Sequence, residues 1–134
     1  MQYITGIHAL NLTCSLATCG DWHRYSIQWE RPNYSSTEDS LFGEYGIEYC
    51  SNVPGHKGTH AVANHIRALL DLLAIGNYGL AQGMDNDYIC NDDYTEEIFS
   101  KVLLMQELPN WNDINMFMGK EYGGKWLRYR DKVR

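Results

Sequence analysis

The residues of this chain whose types could do chemistry are densest between positions 14 and 23. Cys14 and Cys19 are followed closely by Asp21 and His23. A thiolate beside an imidazole is a stronger nucleophile than a lone thiol, and a carboxylate can hold the imidazole in place. The segment therefore predicts a small thiol-dependent enzyme as one function, with Cys19, His23 and Asp21 as its candidate catalytic residues.

The same segment supplies candidate ligands for a zinc ion. Zinc prefers four tetrahedral nitrogen or sulfur ligands, and such a set could come from Cys14, Cys19, His23 and Cys50. The spacing lacks the paired Cys-x2-Cys knuckles that are typical of structural zinc sites. The sequence therefore favours free thiols and no cofactor, with zinc as the alternative.

Three further histidines, His56, His60 and His65, follow at intervals of four and five residues. In a helix that begins at Thr59, His60 and His65 would lie on different faces, about 140° apart. That arrangement does not supply a metal pair within the helix. The pattern favours structural roles for these histidines, such as capping or hydrogen bonding.

Acidic side chains are concentrated in two segments that also carry tyrosines. Residues 30–48 hold five acids against Arg31, and residues 85–97 hold six acids and no base. Acidic surfaces steer basic partners, and tyrosines often anchor protein interfaces. The residues predicted to bind a partner are Glu38, Asp39, Glu44, Tyr45, Asp85, Asp87, Tyr88, Asp92, Asp93 and Tyr94.

Basic and aromatic residues alternate toward the C-terminal end of the chain. Lys125, Arg128 and Arg130 could contact the phosphates of a nucleic acid. The net charge of −6 opposes general binding of nucleic acid, because that affinity depends largely on neutralising phosphates. Contact with nucleic acid is therefore the third functional hypothesis.

Length and composition define the class of protein. A chain of 134 residues with 44% hydrophobic residues can bury one core, so a single globular domain over residues 1–134 is expected. No stretch reaches the roughly 18 to 20 apolar residues of a membrane span, which excludes a membrane partner. Residues 1–12 lack the basic start of a secretory signal, and four cysteines are few for a disulfide scaffold. A cytoplasmic location with reduced thiols is expected.

The elements that must position these residues differ between the two halves of the chain. Alternating patterns predict strands at residues 2–7 and 22–29, followed by a loop-rich region up to residue 58. Three-and-four spacing predicts helices over residues 59–75, from Thr95 toward Pro109, and over residues 110–122. The predicted fold class is α+β, in which short N-terminal strands and loops pack against about three C-terminal helices in a single domain.

The small size, the segregated charge and the lack of a coherent catalytic constellation favour a binding protein over an enzyme. The predicted function is that of a small protein-binding or regulatory module, such as an inhibitor, an antitoxin-like neutraliser or an accessory subunit. Its predicted partner is another protein with a basic surface, which would bind the acidic, tyrosine-bearing surface. The alternative is the thiol- or zinc-dependent enzyme that uses Cys19 and His23.

Overall fold

A computed structural model describes residues 1–133, so Arg134, the last residue of the predicted domain, lies outside the described part. Within residues 1–133 the strands are β1 (Gln2–Ile4), β2 (Tyr34–Ser36), β3 (Ile47–Cys50) and β4 (His60–Ala63). The α-helices are α1 (Gly6–Leu10), α2 (His65–Ala74), α3 (Tyr78–Ala81), α4 (Thr95–Leu103), α5 (Trp111–Tyr122) and α6 (Gly124–Lys132). A small sheet combined with several helices confirms the predicted α+β class.

The four strands form one mixed sheet in the order β2-β1-β4-β3. The central pair, β1 and β4, is parallel with Ile4 opposite Val62, whereas the outer strands β2 and β3 pair antiparallel to them. Among the helices of residues 1–133, none has both the length and the apolar character needed to cross a membrane.

Helix α2 is the centre of the hydrophobic core. Eight of its ten residues are buried, and Ile66, Leu69 and Leu73 are completely inaccessible, as their three-and-four spacing predicts. The predicted apolar face of α4 is also confirmed, because Ile98 and Val102 are fully buried.

The helix predicted over residues 59–75 is wrong in its first part. His60–Ala63 forms β4, and the helix begins at His65 because Asn64 acts as the N-cap. The side-chain oxygen of Asn64 accepts a hydrogen bond from the backbone N–H of Arg67 at 2.8 Å, which satisfies a free donor of the first turn. The predicted end is correct, since Gly76 follows the helix with a φ of +81°.

Both strands predicted in the N-terminal half are corrected. The strand predicted at residues 2–7 ends at Ile4, and α1 begins at Gly6. Residues 22–29 form a 3-10 turn at Arg24–Ser26 instead of a strand. Side chains bond the backbone here, since the Trp29 indole donates to the Arg24 carbonyl at 2.9 Å. Such bonds satisfy backbone groups that in a strand would form hydrogen bonds with a neighbouring strand.

More helices form than the three predicted for the second half of the chain. Tyr78–Ala81 forms α3, and the basic C-terminal segment forms α6. Helix α6 is fixed by Trp126, which is fully buried and packs edge-on against the ring of Phe99 at 5.3 Å. The indole N–H of Trp126 donates to the side-chain oxygen of Asn115 at 2.9 Å. Trp126 therefore belongs to the core.

A buried charge ties α2 to the sheet and to the loop before β3. Arg67 is fully inaccessible, and its guanidinium donates to Asp71 at 3.0 Å and to the Tyr3 hydroxyl at 2.8 Å. It also donates to the backbone carbonyls of Gly43 and Tyr45 at 2.8 and 2.6 Å. Arg67 thus joins three separate parts of the chain.

The Asp71 carboxylate completes the network. Its second oxygen accepts hydrogen bonds from the hydroxyls of Tyr3 and Thr5, both at 2.7 Å. Burial and the hydrogen bond to Asp71 raise the pKa of Tyr3, so its hydroxyl stays protonated and able to donate. Every charged atom in the network therefore has a partner, which is the condition under which a buried ion pair is tolerated.

We predict that Arg67→Met lowers the free energy of unfolding by about 3–5 kcal/mol, because it leaves the Asp71 carboxylate, which is only 13% exposed, without its cation. The measurement is urea denaturation followed by circular dichroism. Lys125→Met is the matched control, since Lys125 pairs with Asp92 at 3.9 Å on an exposed surface and should cost less than about 1 kcal/mol. Equal losses in the two variants would contradict the role of Arg67.

We predict that Trp126→Ala lowers the free energy of unfolding by about 3–5 kcal/mol through the cavity that it leaves. The same change at the neighbouring Leu127, which is 43% exposed, should have a much smaller effect. Thermal denaturation of both variants measures the difference. A Trp126→Ala protein as stable as the parent would show that α6 does not contribute to the core.

Candidate active site

The loop over residues 14–22, here called the thiol loop, lies across the N-terminal end of α2. Backbone hydrogen bonds hold its C-terminal end, from Asp21 to the Leu10 carbonyl and from Gly20 to the Tyr88 carbonyl, both at 2.9 Å. The hydroxyl of Tyr94 donates to the Leu16 carbonyl at 3.1 Å and holds the middle. Residues on both sides of the loop in the chain therefore hold its middle and its C-terminal end.

The thiol loop packs closely against its neighbours and contains residues with a left-handed backbone conformation. Gly20 has a φ of +73°, and a Cβ there would lie 2.5 Å from the Leu10 carbonyl oxygen and 3.0 Å from the imidazole Cε1 of His65. Only glycine allows the loop to approach His65 this closely. Ala17 and Trp22 also have positive φ, of 55° and 67°. Strained residues of this kind concentrate at functional sites, which directs attention to the side chains that the loop carries.

A thiol, a hydroxyl and an imidazole form a continuous chain of contacts at this point. The Cys14 sulfur lies 3.6 Å from the Thr18 hydroxyl oxygen, and that oxygen lies 2.5 Å from Nδ1 of His65. On the other side of the ring, Nε2 lies 2.6 Å from the backbone carbonyl of Leu12. His65 is the first residue of α2 and is almost completely buried.

These contacts determine where the protons are. A carbonyl can only accept, so Nε2 of His65 carries a hydrogen and donates it to Leu12. In the neutral ring Nδ1 is then the acceptor, which receives the Thr18 hydroxyl proton. The Thr18 oxygen can accept in turn from the Cys14 thiol. The arrangement can pass the thiol proton through Thr18 to His65.

The electrostatics favour the charged form of this pair. Burial alone would raise the pKa of the Cys14 thiol, but hydrogen bonding and the charge of His65 outweigh burial and lower the pKa to about 7. Burial opposes a charge on His65 as well, yet the Cys14 thiolate, the Leu12 carbonyl and the charge of Glu48 raise its pKa above the ordinary value. A thiolate beside an imidazolium is therefore present in a substantial fraction of molecules near neutral pH.

Glu48, on β3, links the thiol loop to the sheet. Its carboxylate accepts hydrogen bonds from the backbone N–H and the hydroxyl of Ser15, at 2.9 and 2.5 Å. The same region forms a cleft of about 240 Å³ beside Cys14. The cleft is lined by Thr13, Cys14, Glu48, Tyr49, Cys50, Ser51, Asn52, Val62 and Ala63. A small molecule could reach the thiol through it.

A second cleft, of about 320 Å³, lies on the imidazole side of the site. His65, Thr18 and Cys19 contribute to its wall. The aromatic side chains of Trp22 and Tyr25 also line it and are 81% and 99% exposed. Trp22 has a left-handed backbone, which costs conformational energy, and its exposed indole gains little from burial. This combination suits an indole that contacts a ligand or a partner.

The structure partly assembles the candidate catalytic residues from the sequence. Asp21 and His23 do meet, with a carboxylate oxygen 3.2 Å from Nδ1 of His23. Cys19 is exposed and interacts with the thiol of Cys90, whose pKa is raised to about 11 by burial and by Cys19. Catalysis by Cys19 and His23 stays a prediction.

The zinc candidates do not form a ligand set in the part of the chain that the structure describes. Among residues 1–133, no three or more His, Cys, Asp and Glu side chains are grouped so that they could hold a metal ion. Of the four candidates, Cys14 and Cys50 line one cleft, Cys19 lines the other, and His23 pairs with Asp21.

The tyrosines of the predicted acidic surface are partly occupied by contacts within the chain. Tyr45 donates to the Glu97 carboxylate and lies 4.3 Å below the ammonium of Lys101. Tyr88 and Tyr94 donate their hydroxyls to backbone carbonyls at 2.9 and 3.1 Å. These three side chains are half-buried and so present only part of their area to a partner.

The acids of that surface are mostly exposed. Glu38 binds the N-terminal amine of Met1, Asp92 lies near Lys125, and Asp85 is half-buried. The remaining members, Asp39, Glu44, Asp87 and Asp93, are exposed. Binding of a protein partner through these residues stays a prediction.

The three basic residues predicted to contact nucleic acid lie on α6. Lys125 and Arg128 are exposed, and Lys125 lies 3.9 Å from Asp92. Arg130 donates to Asn115 and to Asp131, both at 3.1 Å. Two of the three cations therefore already have partners on the protein surface.

Sequence reasoning did not identify His65 and Thr18 as candidate site residues. The sequence favours a structural role for His65, because a helix that begins at Thr59 places it on a different face from His60. The available signal was Asn64, a strong N-cap residue, which would have placed His65 in the first turn. Nothing in the sequence indicates that Cys14 would lie beside that turn, because the approach depends on the fold.

We predict that alkylation of Cys14 by iodoacetamide has its midpoint near pH 7, since only the thiolate reacts and its pKa is lowered to about 7. The rate should fall as the pH drops through 7. In His65→Asn the stabilising imidazolium is lost while burial remains, so the midpoint should move above the ordinary thiol value of about 8.5. Peptide mapping by mass spectrometry measures the rate at Cys14 alone. An unchanged midpoint in His65→Asn would contradict the assigned pair.

Comparison of the chain with protein-family models, with curated proteins and with solved structures found no match. The case for a function therefore depends on the geometry of the site itself.

Proposed function

We propose that this protein is a thiol-dependent enzyme in which Cys14 is the nucleophile and His65 is the base that receives its proton. The observation that carries the proposal is the continuous chain of contacts from the Cys14 sulfur through the Thr18 hydroxyl to Nδ1 of His65. A nucleophile, a base and a group that orients the base are the parts that covalent catalysis requires. Here the Leu12 carbonyl orients the base by accepting from Nε2.

The proposed chemistry begins from the Cys14 thiolate, whose proton has passed to the imidazole of His65. The thiolate then attacks an electrophilic atom of a substrate bound in the cleft beside Cys14, and a covalent intermediate forms on sulfur. The imidazolium of His65 returns the proton to the leaving group, through Thr18, as that group departs. Thr18 is a positioning residue in this scheme, because it acts only by connecting the other two.

The proposal keeps the thiol-dependent alternative of the sequence analysis and changes its residues. Cys14 takes the place of Cys19, and His65 takes the place of His23. Two features favour the new pair. His65 is buried and held at both ring nitrogens, whereas the side chain of His23 is 65% exposed. An imidazole held at both nitrogens is preorganised for proton transfer.

We predict that a limiting amount of a chloroacetamide probe at pH 7 labels Cys14 before the more exposed Cys19 and Cys90. Thr18→Val, which removes the hydroxyl but keeps the shape, should slow labelling of Cys14 by tenfold or more, the scale on which a proton-accepting group contributes. Thr18→Ser restores the hydroxyl and should restore most of the rate. Mass spectrometry of the labelled peptides measures all three cysteines in one sample.

Two outcomes of this experiment would overturn the proposal. Preferential labelling of Cys19 would return the assignment to the pair predicted from the sequence. Equal rates in the parent and in Thr18→Val would show that the hydroxyl does not connect the thiol to the imidazole. A circular dichroism spectrum of each variant controls for loss of the fold.

A further inference from the structure

A second thiol lies in the cleft beside Cys14. Cys50 is the last residue of β3, and both cysteines contribute to the wall of the same cleft of about 240 Å³. Each is half-buried and neither is in a disulfide. The backbone N–H of Asn52 lies 3.4 Å from the Cys50 sulfur and orients it.

The register of β3 explains why the two thiols share a cleft. Side chains two apart on a strand point to the same face and lie about 7 Å apart, so Cys50 and Glu48 are neighbours on one face. Glu48 holds Ser15, the residue after Cys14, by two hydrogen bonds. The thiol loop is therefore fastened over the same face of the sheet that carries Cys50.

We propose that the substrate of this site is a disulfide, and that Cys50 is the second thiol that resolves the intermediate formed on Cys14. This inference rests on the proposed role of Cys14 as nucleophile and adds both the substrate class and a second reacting residue. A lone catalytic cysteine does not need a thiol in its cleft, whereas exchange with a disulfide uses one.

The proposed steps are two thiol–disulfide exchanges. The Cys14 thiolate attacks one sulfur of the substrate R–S–S–R′, the S–S bond breaks, and R′–S⁻ leaves and takes a proton from the imidazolium of His65. The Cys50 sulfur then attacks the Cys14 sulfur of the mixed disulfide, the bond to R–S breaks, and the proton that the Cys50 thiol loses goes to the departing R–S⁻. The substrate is reduced to two thiols, and the protein is oxidised to a Cys14–Cys50 disulfide. An external dithiol returns it to the starting state.

The chemistry of the cleft fits such a substrate. Exchange is fastest when the attacking thiol has a pKa near the ambient pH, and Cys14 meets this condition. The cleft is smaller than the roughly 300–1,000 Å³ of drug-sized pockets, so it has room for one arm of a small disulfide. Its polar wall, with Ser51, Asn52 and Glu48, suits a polar arm rather than an apolar one.

The test is to incubate the fully reduced protein with one equivalent of oxidised glutathione and to map the disulfides by mass spectrometry without reduction. We expect a Cys14–Cys50 disulfide and two equivalents of reduced glutathione. In Cys50→Ser the reaction should stop at a stable glutathione adduct on Cys14, with one equivalent released. Cys90→Ser is the matched control, because Cys90 lies outside this cleft, and it should behave as the parent does.

The outcomes separate this inference from the proposed function. A stable Cys14 adduct in the parent as well as in Cys50→Ser would overturn the role of Cys50. Rapid alkylation of Cys14 by iodoacetamide combined with no glutathione adduct would overturn the disulfide as substrate and leave the nucleophile in place. Slow alkylation of Cys14 at pH 7 would overturn both proposals. A disulfide between Cys19 and Cys90 alone would also overturn the role of Cys50.

Discussion

The buried guanidinium of Arg67 is the constraint on which the rest of the structure depends. It can satisfy its donors only when α2 lies against β1 and against the loop that carries Gly43 and Tyr45. An unpaired charge in this position would cost several kcal/mol, so alternative placements of the helix are excluded. The rotation of α2 is thereby fixed, and with it the direction of His65, two residues before Arg67. The position of His65 beside Thr18 therefore depends on the hydrogen bonds of Arg67, which lie outside the candidate site.

Burial raises the pKa of the Cys14 thiol and lowers the pKa of the His65 imidazole, but other interactions outweigh burial at both groups. A thiolate and an imidazolium are each destabilised by a dry environment, but side by side each compensates the cost of the other. Thr18 and the Leu12 carbonyl supply the remaining hydrogen bonds, so the charged form has partners at each polar atom of the ring. Cys14 lines one neighbouring cleft, and Thr18 and His65 line the other, so the pair can be reached from outside.

The sequence predicted the parts of the fold that depend on local signals. The apolar face of α4, the buried stripe of α2 and the stop at Gly76 follow from periodicity and backbone chemistry. The alternation of Trp22 to Trp29 misled, because pattern alone does not show whether a neighbouring strand exists to pair with it. The candidate site was harder to predict than the fold, because Cys14 and His65 are distant in the chain. They come together only when the thiol loop packs against the first turn of α2. The sequence indicated Cys19 and His23 instead, because these two residues are close in the chain and contacts between distant residues cannot be read from it.

The parallel pairing of β1 with β4 has a consequence for how the protein acquires its structure. Ile4 can find Val62 only after the whole intervening chain has been made, and closing so long a loop is slow compared with forming a helix. The strand pairing also brings the thiol loop to the start of α2, which directly follows β4. During synthesis Cys14 therefore emerges as an ordinary thiol, and the lowering of its pKa depends on completion of the central sheet.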